Sequence, residues 1–133
     1  MERASASYPL PWAAPVPYPR RVDAAELRDL VEFEEGSVVR RTVFESDRMW
    51  VQLLCLDRNG SYGPLADPES DALLTIVAGE AVFLVGKGRR RLKQWGAVLV
   101  PRGSELVIRN ASPEPLVVLM AAAPPPAERA VTG

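Results

Sequence analysis

Residues 95–110 read WGAVLVPRGSELVIRN, and this stretch indicates the fold class of the whole chain. Ala97–Val100 and Glu105–Arg109 are short runs rich in aliphatic and β-branched side chains, which favour β-strands. The intervening Pro101-Arg102-Gly103 places proline and glycine close together, as in tight turns. The stretch therefore predicts two short strands joined by a turn.

The same pattern continues outward on both sides of this stretch. Further strand-like runs alternate with turn signals such as Asn59-Gly60 and Gly86-Lys87-Gly88. The additional predicted strands are Val38–Glu45, Arg48–Asp57, Ala72–Ala78, Glu80–Val85, Arg89–Gln94 and Leu116–Ala122. About eight short strands, with turns roughly every 8–12 residues, are typical of an all-β sandwich or barrel.

The two ends of the chain fall outside the strand pattern. Residues 1–21 hold five prolines, which block helix formation and ladder pairing, so we predict a Pro-rich extended arm. Its aromatic residues favour an arm that lies across the barrel or a neighbouring subunit, and a loose tail is the alternative. Pro124-Pro125-Pro126 ends the folded part. We therefore predict a barrel domain over residues 22–126 and a tail over residues 127–133.

Val22–Phe33 is the one helix candidate in the sequence. Asp23, followed three residues later by Glu26, has the spacing of a capping box. Leu27 and Leu30 then lie on one apolar stripe at helical spacing. The segment predicts one short helix that packs on the barrel or its rim.

Length and charge indicate a single soluble domain. The chain has 133 residues, 25% of them charged, and a formal net charge of −1. Such a balance creates no field that attracts nucleic acid or a membrane surface, and neither is an expected partner. No apolar run approaches the ~20 residues that span a bilayer, and the N-terminus lacks the pattern of a signal peptide. We therefore expect a cytoplasmic protein.

The glycine, proline and asparagine positions resemble those of the cupin superfamily. Pro101, Gly103 and Asn110 keep the spacing of the second cupin motif, and Gly79 is similar to the glycine that ends the first. The resemblance covers residues 38–122. It implies a cupin-like double-stranded β-helix, a jelly-roll barrel, to which the Pro-rich N-terminal arm and one short helix are added. It also implies a homodimer.

The same resemblance locates the positions where cupins usually bind a metal through three histidines and one glutamate. This chain contains no histidine. The motif glutamate falls on Ala72, the second-motif histidine on Leu106, and the first-motif histidines within residues 65–68, where only Asp67 could bind a cation. A transition metal needs three or four nitrogen, sulfur or carboxylate ligands. We therefore predict no metal and no cofactor.

Strand alternation extends this argument to the barrel lumen. If Ala72 faces the interior, then Leu74, Ile76 and Ala78 share its face, as Ile108 shares that of Leu106. Ala72 is smaller than the glutamate of the motif, and Leu106 adds apolar bulk in place of the histidine. The sequence is therefore compatible with a packed lumen and with a small apolar pocket. The candidate ligand-binding residues are Leu65, Asp67, Ala72, Leu74, Ile76, Leu106 and Ile108.

Three polar or reactive side chains within the strands need an interpretation of their own. Cys55 lies in an apolar run, so we predict a buried, inert thiol without a disulfide. Arg40 and Arg41 are unusual within a strand. We expect a salt bridge at the barrel edge or a subunit interface, and a bidentate contact with a ligand carboxylate is the alternative.

An apolar lumen without metal ligands suits binding better than catalysis. We predict a metal-free, non-catalytic cupin-like barrel that binds a small apolar molecule or a protein partner in an accessory or regulatory role. Two alternatives remain open. One is a metal-independent isomerase or cyclase-type accessory enzyme that uses carboxylates, with Asp67 as its catalytic candidate. The other is a structural or assembly module.

Overall fold

The computed structural model describes residues 22–127, which form two antiparallel β-sheets. The strands of this part of the chain are β1 (Val38–Glu45), β2 (Trp50–Leu56), β3 (Ser61–Leu65), β4 (Asp71–Ala78), β5 (Glu80–Val85), β6 (Gly88–Lys93), β7 (Ala97–Val100), β8 (Leu106–Asn110) and β9 (Leu116–Ala123). One sheet has the order β1-β2-β9-β4-β7 and the other the order β3-β8-β5-β6. Strands distant in sequence thus lie side by side, as in a jelly roll. The predicted all-β class is confirmed.

Strand β3 is absent from the sequence prediction, because Gly63 and Pro64 interrupt it. The pairing of β3 with β8 shifts register between Tyr62 and Leu65. Gly63 has a φ of +117°, and a Cβ there would lie 2.5 Å from the carbonyl oxygen of Leu106. Proline and glycine are tolerated in a strand at a sheet edge or a bulge, and β3 is an edge strand.

The predicted helix over Val22–Phe33 is wrong in extent and type. Only one 3-10 turn forms, at Leu27–Leu30, and the backbone is already extended at Val31. Glu26 is the N-cap residue of this turn, and no side-chain capping hydrogen bond forms there. A helix of this length is marginal by itself, so tertiary packing decides its conformation. Leu30, Val31 and Phe33 instead pack together against the sheet.

Two apolar clusters lie on opposite faces of the five-stranded sheet. The inner cluster, between the sheets, contains Leu54, Leu56, Leu74, Ile76, Ala81, Phe83, Val100, Leu106, Ile108, Leu116, Val118 and Met120. The outer cluster contains Leu53, Cys55 and Val117, against which the segment around Leu30 and Phe33 packs. Strand β2 contributes alternate residues to both clusters, which explains why all of its residues are buried.

Two residues of the cupin-like motifs stabilise one end of the barrel. The two N–H groups of the Asn110 side-chain amide donate to the carbonyl oxygens of Leu56, Asp57 and Glu114, at Nδ2-to-oxygen distances of 3.2, 3.1 and 2.8 Å, so one N–H is shared between two acceptors. Gly79 has a φ of +92°, and a Cβ there would lie 2.5 Å from the carbonyl oxygen of Pro115. Asn110 therefore joins the ends of β2 and β8 to the turn before β9, and Gly79 lets that turn approach. We call this end, with Leu56 and Leu116, the packed end.

The predicted arm at residues 1–21 lies outside the described residues, as does the predicted tail from residue 128 onward. Within residues 22–127, no helix is long and apolar enough to cross a membrane.

Candidate ligand pocket at the open end of the barrel

A cavity of about 160 Å³ opens at the end of the barrel opposite Asn110. Its walls come from β2, β3, β4, β7 and β9 and from the loops at residues 66–70 and 101–104. We call this end the open end. The cavity occupies the region to which the cupin resemblance assigns the metal-ligand positions, because Leu65, Asp67 and Ala72 line it.

One row of residues across the five-stranded sheet makes room for the cavity. Trp50 pairs with Ala122, Ala122 pairs with Ala72, and Ala72 pairs with Val100. All four residues line the cavity. Two adjacent alanines between larger side chains leave space that the neighbouring residues do not fill. The next row inward contains Gln52, Met120 and Leu74, and the interior is closely filled below it.

The predicted site residues fall into two groups. Leu65, Asp67 and Ala72 line the cavity. Leu74, Ile76, Leu106 and Ile108 are not among its lining residues; they are at most 3% exposed and belong to the inner cluster. The lumen is therefore packed in one part and open in another. The sequence left a packed lumen and a small apolar pocket as alternatives, and each of them describes one end of the barrel.

The predicted alternation along β4 holds from Ala72 to Ile76 and fails at Ala78. Leu74 and Ile76 belong to the inner cluster, whereas Ala78 packs against the outer cluster. The pairing of β4 with β9 shifts register between Ile76 and Ala78. An extra residue at a bulge moves the following side chain to the other face, so the expected inward position of Ala78 is wrong.

Asp67 holds the loop at the open end in place. Its Oδ1 accepts hydrogen bonds from the backbone N–H groups of Glu69, at 2.8 Å, and Ser70, at 2.9 Å. Its own carbonyl oxygen accepts from the backbone N–H of Gly103, at 2.7 Å. The two bonds to Oδ1 form an Asx turn, and the bond from Gly103 connects the two loops of the rim. The carboxylate therefore has a structural task at the position proposed for a catalytic base.

Gln52 is a polar site residue that the sequence analysis missed. It lines the cavity and is 1% exposed, and its Oε1 has no hydrogen-bond partner among the described residues. Buried amide oxygens are almost always hydrogen-bonded in folded proteins. The available signal was one amide in the apolar run Trp50–Leu56, at a position that shares its face with Trp50 and Leu54.

Other polar groups near the cavity have partners within the protein. The Nη1 of Arg40 donates to the hydroxyl oxygen of Tyr62 at 3.1 Å, and its guanidinium lies 5.4 Å from the centre of that ring. The indole N–H of Trp50 donates to the hydroxyl of Thr42 at 3.2 Å. The contacts of Arg40 and Thr42 fix the two aromatic walls of the cavity. On the other face of the sheet, Arg41 forms a salt bridge with Glu32 at 3.0 Å, as expected for a charge at the sheet edge.

The residues at the expected metal position do not fit a transition metal. Ala72 and Leu106 have no donor atom, and one oxygen of Asp67 already accepts two backbone hydrogen bonds. Within residues 22–127, no group of three or more histidine, cysteine, aspartate or glutamate side chains could hold a metal ion. We therefore derive no chemistry that passes through a metal at this site.

Cys55 lies away from the cavity, in the outer cluster. It is fully buried, and burial raises the pKa of its thiol, while a backbone hydrogen bond and Arg41 act in the opposite direction. A buried thiol with a raised pKa is a poor nucleophile. The geometry gives Cys55 a packing role.

Comparisons with solved structures agree with the overall fold. The chain is similar to the TT1209 protein of Thermus thermophilus, at 27% identity over 79% of this chain and 100% of that chain, with a TM-score of 0.76. A Klebsiella pneumoniae protein with a double-stranded β-helix domain matches at 21% identity over 78% of this chain and 91% of that chain, with a TM-score of 0.73.

A third similar structure is an RmlC-like cupin of Desulfovibrio desulfuricans, at 19% identity over 79% of this chain and 99% of that chain, with a TM-score of 0.71. No family model and no curated protein matches the chain. These similarities show that the chain has the cupin fold, the double-stranded β-helix that the motifs predicted. The predicted homodimer and cytoplasmic location stay predictions.

Proposed function

We propose that this protein binds a small, largely apolar molecule in the cavity at the open end, in an accessory or regulatory role without catalysis. The observation that carries the proposal is the row of Trp50, Ala122, Ala72 and Val100, which leaves an apolar recess in an otherwise packed barrel. Ligand sites are typically concave and mostly apolar, with a few placed polar groups.

The size of the cavity limits the part of the ligand that it encloses. An apolar protein cavity of about 150 Å³ is large enough to bind benzene. The cavity here is about 160 Å³, so it accommodates one six-membered ring or a branched chain of similar size. Because the cavity opens at the barrel end, a longer ligand would extend past the rim loops at residues 66–70 and 101–104.

The contacts of Asp67 favour binding over the enzymatic alternative. Among the described residues that line the cavity, Asp67 alone is charged. Its Oδ1 already accepts two backbone hydrogen bonds, so this oxygen is occupied in holding the turn. A general base needs a carboxylate that is free to take a proton from the substrate. Asp67 is better suited to shaping the rim.

The test is to fill the cavity from one strand while a neighbouring residue serves as control. Ala122 lines the cavity, and the preceding Ala121 is on the opposite face of β9, where it pairs with Val51 and Leu73. Ala122→Leu adds three carbon atoms inside the cavity, and Ala121→Leu adds the same atoms outside it. A panel of neutral ring-sized molecules is screened by the rise in Tm of each variant.

We expect at least one molecule to raise the Tm of the wild type and of Ala121→Leu but not that of Ala122→Leu. Asp67→Asn keeps an acceptor oxygen for the turn and removes the negative charge, so it should retain the rise in Tm. Failure of every molecule to stabilise the wild type would contradict the proposal. Equal stabilisation of both leucine variants would place binding outside the cavity and contradict it as well.

A further inference from the structure

We propose that the ligand carries a neutral hydroxyl group on its apolar body, and that Gln52 recognises this hydroxyl. The inference rests on the proposed binding function and names the ligand class. Its starting point is the Oε1 of Gln52, which is buried at the cavity and has no hydrogen-bond partner among residues 22–127. An unsatisfied buried acceptor is costly, and a bound donor removes that cost.

The surroundings of Gln52 explain why a partner must come from the cavity. Along β2, the side chains that share its face are Trp50 and Leu54, and its neighbour on β9 is Met120. Its neighbour on β1 is Thr42, whose hydroxyl oxygen accepts the indole N–H of Trp50. The amide is thus surrounded mainly by apolar groups on the sheet, and Gln52 is one of the residues that line the cavity.

The chemistry of the site favours a hydroxyl over a charged group. A hydroxyl can donate to the Oε1 of Gln52. If the amide is rotated so that its oxygen and nitrogen exchange places, the same hydroxyl can accept from the NH₂ group, so it fits both amide orientations. A ligand carboxylate would enter a cavity in which Asp67 is the one charged residue among the described lining residues, and the nearby Arg40 guanidinium already donates to Tyr62. A ligand ammonium would pair with the Asp67 carboxylate at the rim rather than with the neutral amide of Gln52. Alcohols and phenols are therefore the expected class.

Phenol and toluene provide the test, because both have one six-membered ring and the same number of non-hydrogen atoms. Their dissociation constants are measured by calorimetry for the wild type, Gln52→Leu and Gln94→Leu. Gln94 is an exposed glutamine outside the cavity whose amide donates to the carbonyl oxygen of Val77, so it is the matched control. A second measurement follows the side-chain NH₂ signals of glutamine in the isotope-labelled wild type.

We expect the wild type and Gln94→Leu to bind phenol about fivefold or more tightly than toluene, since one hydrogen bond to a buried acceptor distinguishes them. Gln52→Leu should reverse the order, because it offers only apolar surface. The Gln52 amide signals should shift with phenol. If Gln52→Leu does not fold, the wild-type affinities and these signals decide the question by themselves.

The outcomes separate this inference from the proposed function. Toluene binding as tightly as phenol, or a preference unchanged by Gln52→Leu, would overturn the role of Gln52 and leave apolar binding in place. If neither phenol nor toluene binds to the wild type at a site that Ala122→Leu blocks, the proposed binding function itself is overturned.

Discussion

The same strands enclose a packed core at one end of the barrel and a cavity at the other. At the packed end, Leu56 and Leu116 are fully buried, and the Asn110 amide bonds three carbonyl oxygens. At the open end, two alanines stand in register between Trp50 and Val100, and a cavity remains. We therefore expect the packed end to contribute more to the stability of the fold than the open end.

The largest expected effect is a difference in core energetics between the two ends. Leu116→Ala removes a fully buried side chain at the packed end, so it should lower the free energy of unfolding by about 2–5 kcal/mol. Leu65→Ala makes the same chemical change beside the existing cavity, where the side chain is only partly buried, and should cost about 1 kcal/mol. Urea unfolding of both variants measures the difference. Equal losses would break the comparison between the ends.

A second expected effect isolates the hydrogen bonds of the packed end. Asn110→Ala removes the three donated bonds and the bond from the backbone N–H of Ser112 to Oδ1, and should cost about 2–3 kcal/mol. Asn110→Asp keeps an acceptor for Ser112 but cannot donate, so its loss should be nearly as large. Thermal unfolding of the two variants checks this. Wild-type stability of Asn110→Asp would show that the donated bonds contribute little.

The smallest expected effect concerns the open end and has the opposite sign. Gln52→Met replaces a buried amide whose Oε1 has no partner among the described residues with an apolar chain of similar length. In the absence of ligand, we expect a gain of about 1 kcal/mol in the free energy of unfolding, because the unsatisfied acceptor is gone. Urea unfolding is again the measurement. A clear loss of stability would mean that Gln52 already has a partner, such as a buried water molecule.

Much of the fold was predictable because its signals are local. Turn residues at regular spacing predicted the strands, and strand alternation correctly placed Leu74, Ile76 and Ile108 in the interior. The alternation failed at Ala78, where a bulge shifts the register. The helix over Val22–Phe33 failed because Leu30 and Phe33 pack against the outer face of the sheet in an extended arrangement. In both cases a tertiary contact overrode a local preference.

The candidate site was only partly predictable, for a related reason. Leu65, Asp67 and Ala72 were found through the spacing of the cupin motifs, and they line the cavity. Trp50, Gln52 and Ala122 were missed, although they line the same cavity. Their strands lie far from the motifs along the chain, and no short pattern connects them.

The amino-acid sequence by itself determined an all-β barrel of the cupin type in which Ala72 and Leu106 occupy two of the expected metal-ligand positions. Side-chain periodicity and turn chemistry are properties of neighbouring residues, so they can be read without a structure. Only the tertiary structure decided that the lumen is packed at one end and open at the other, and that Gln52 lines the cavity. Those features depend on the register between β2, β9 and β4, which brings Trp50, Ala122 and Ala72 into one row.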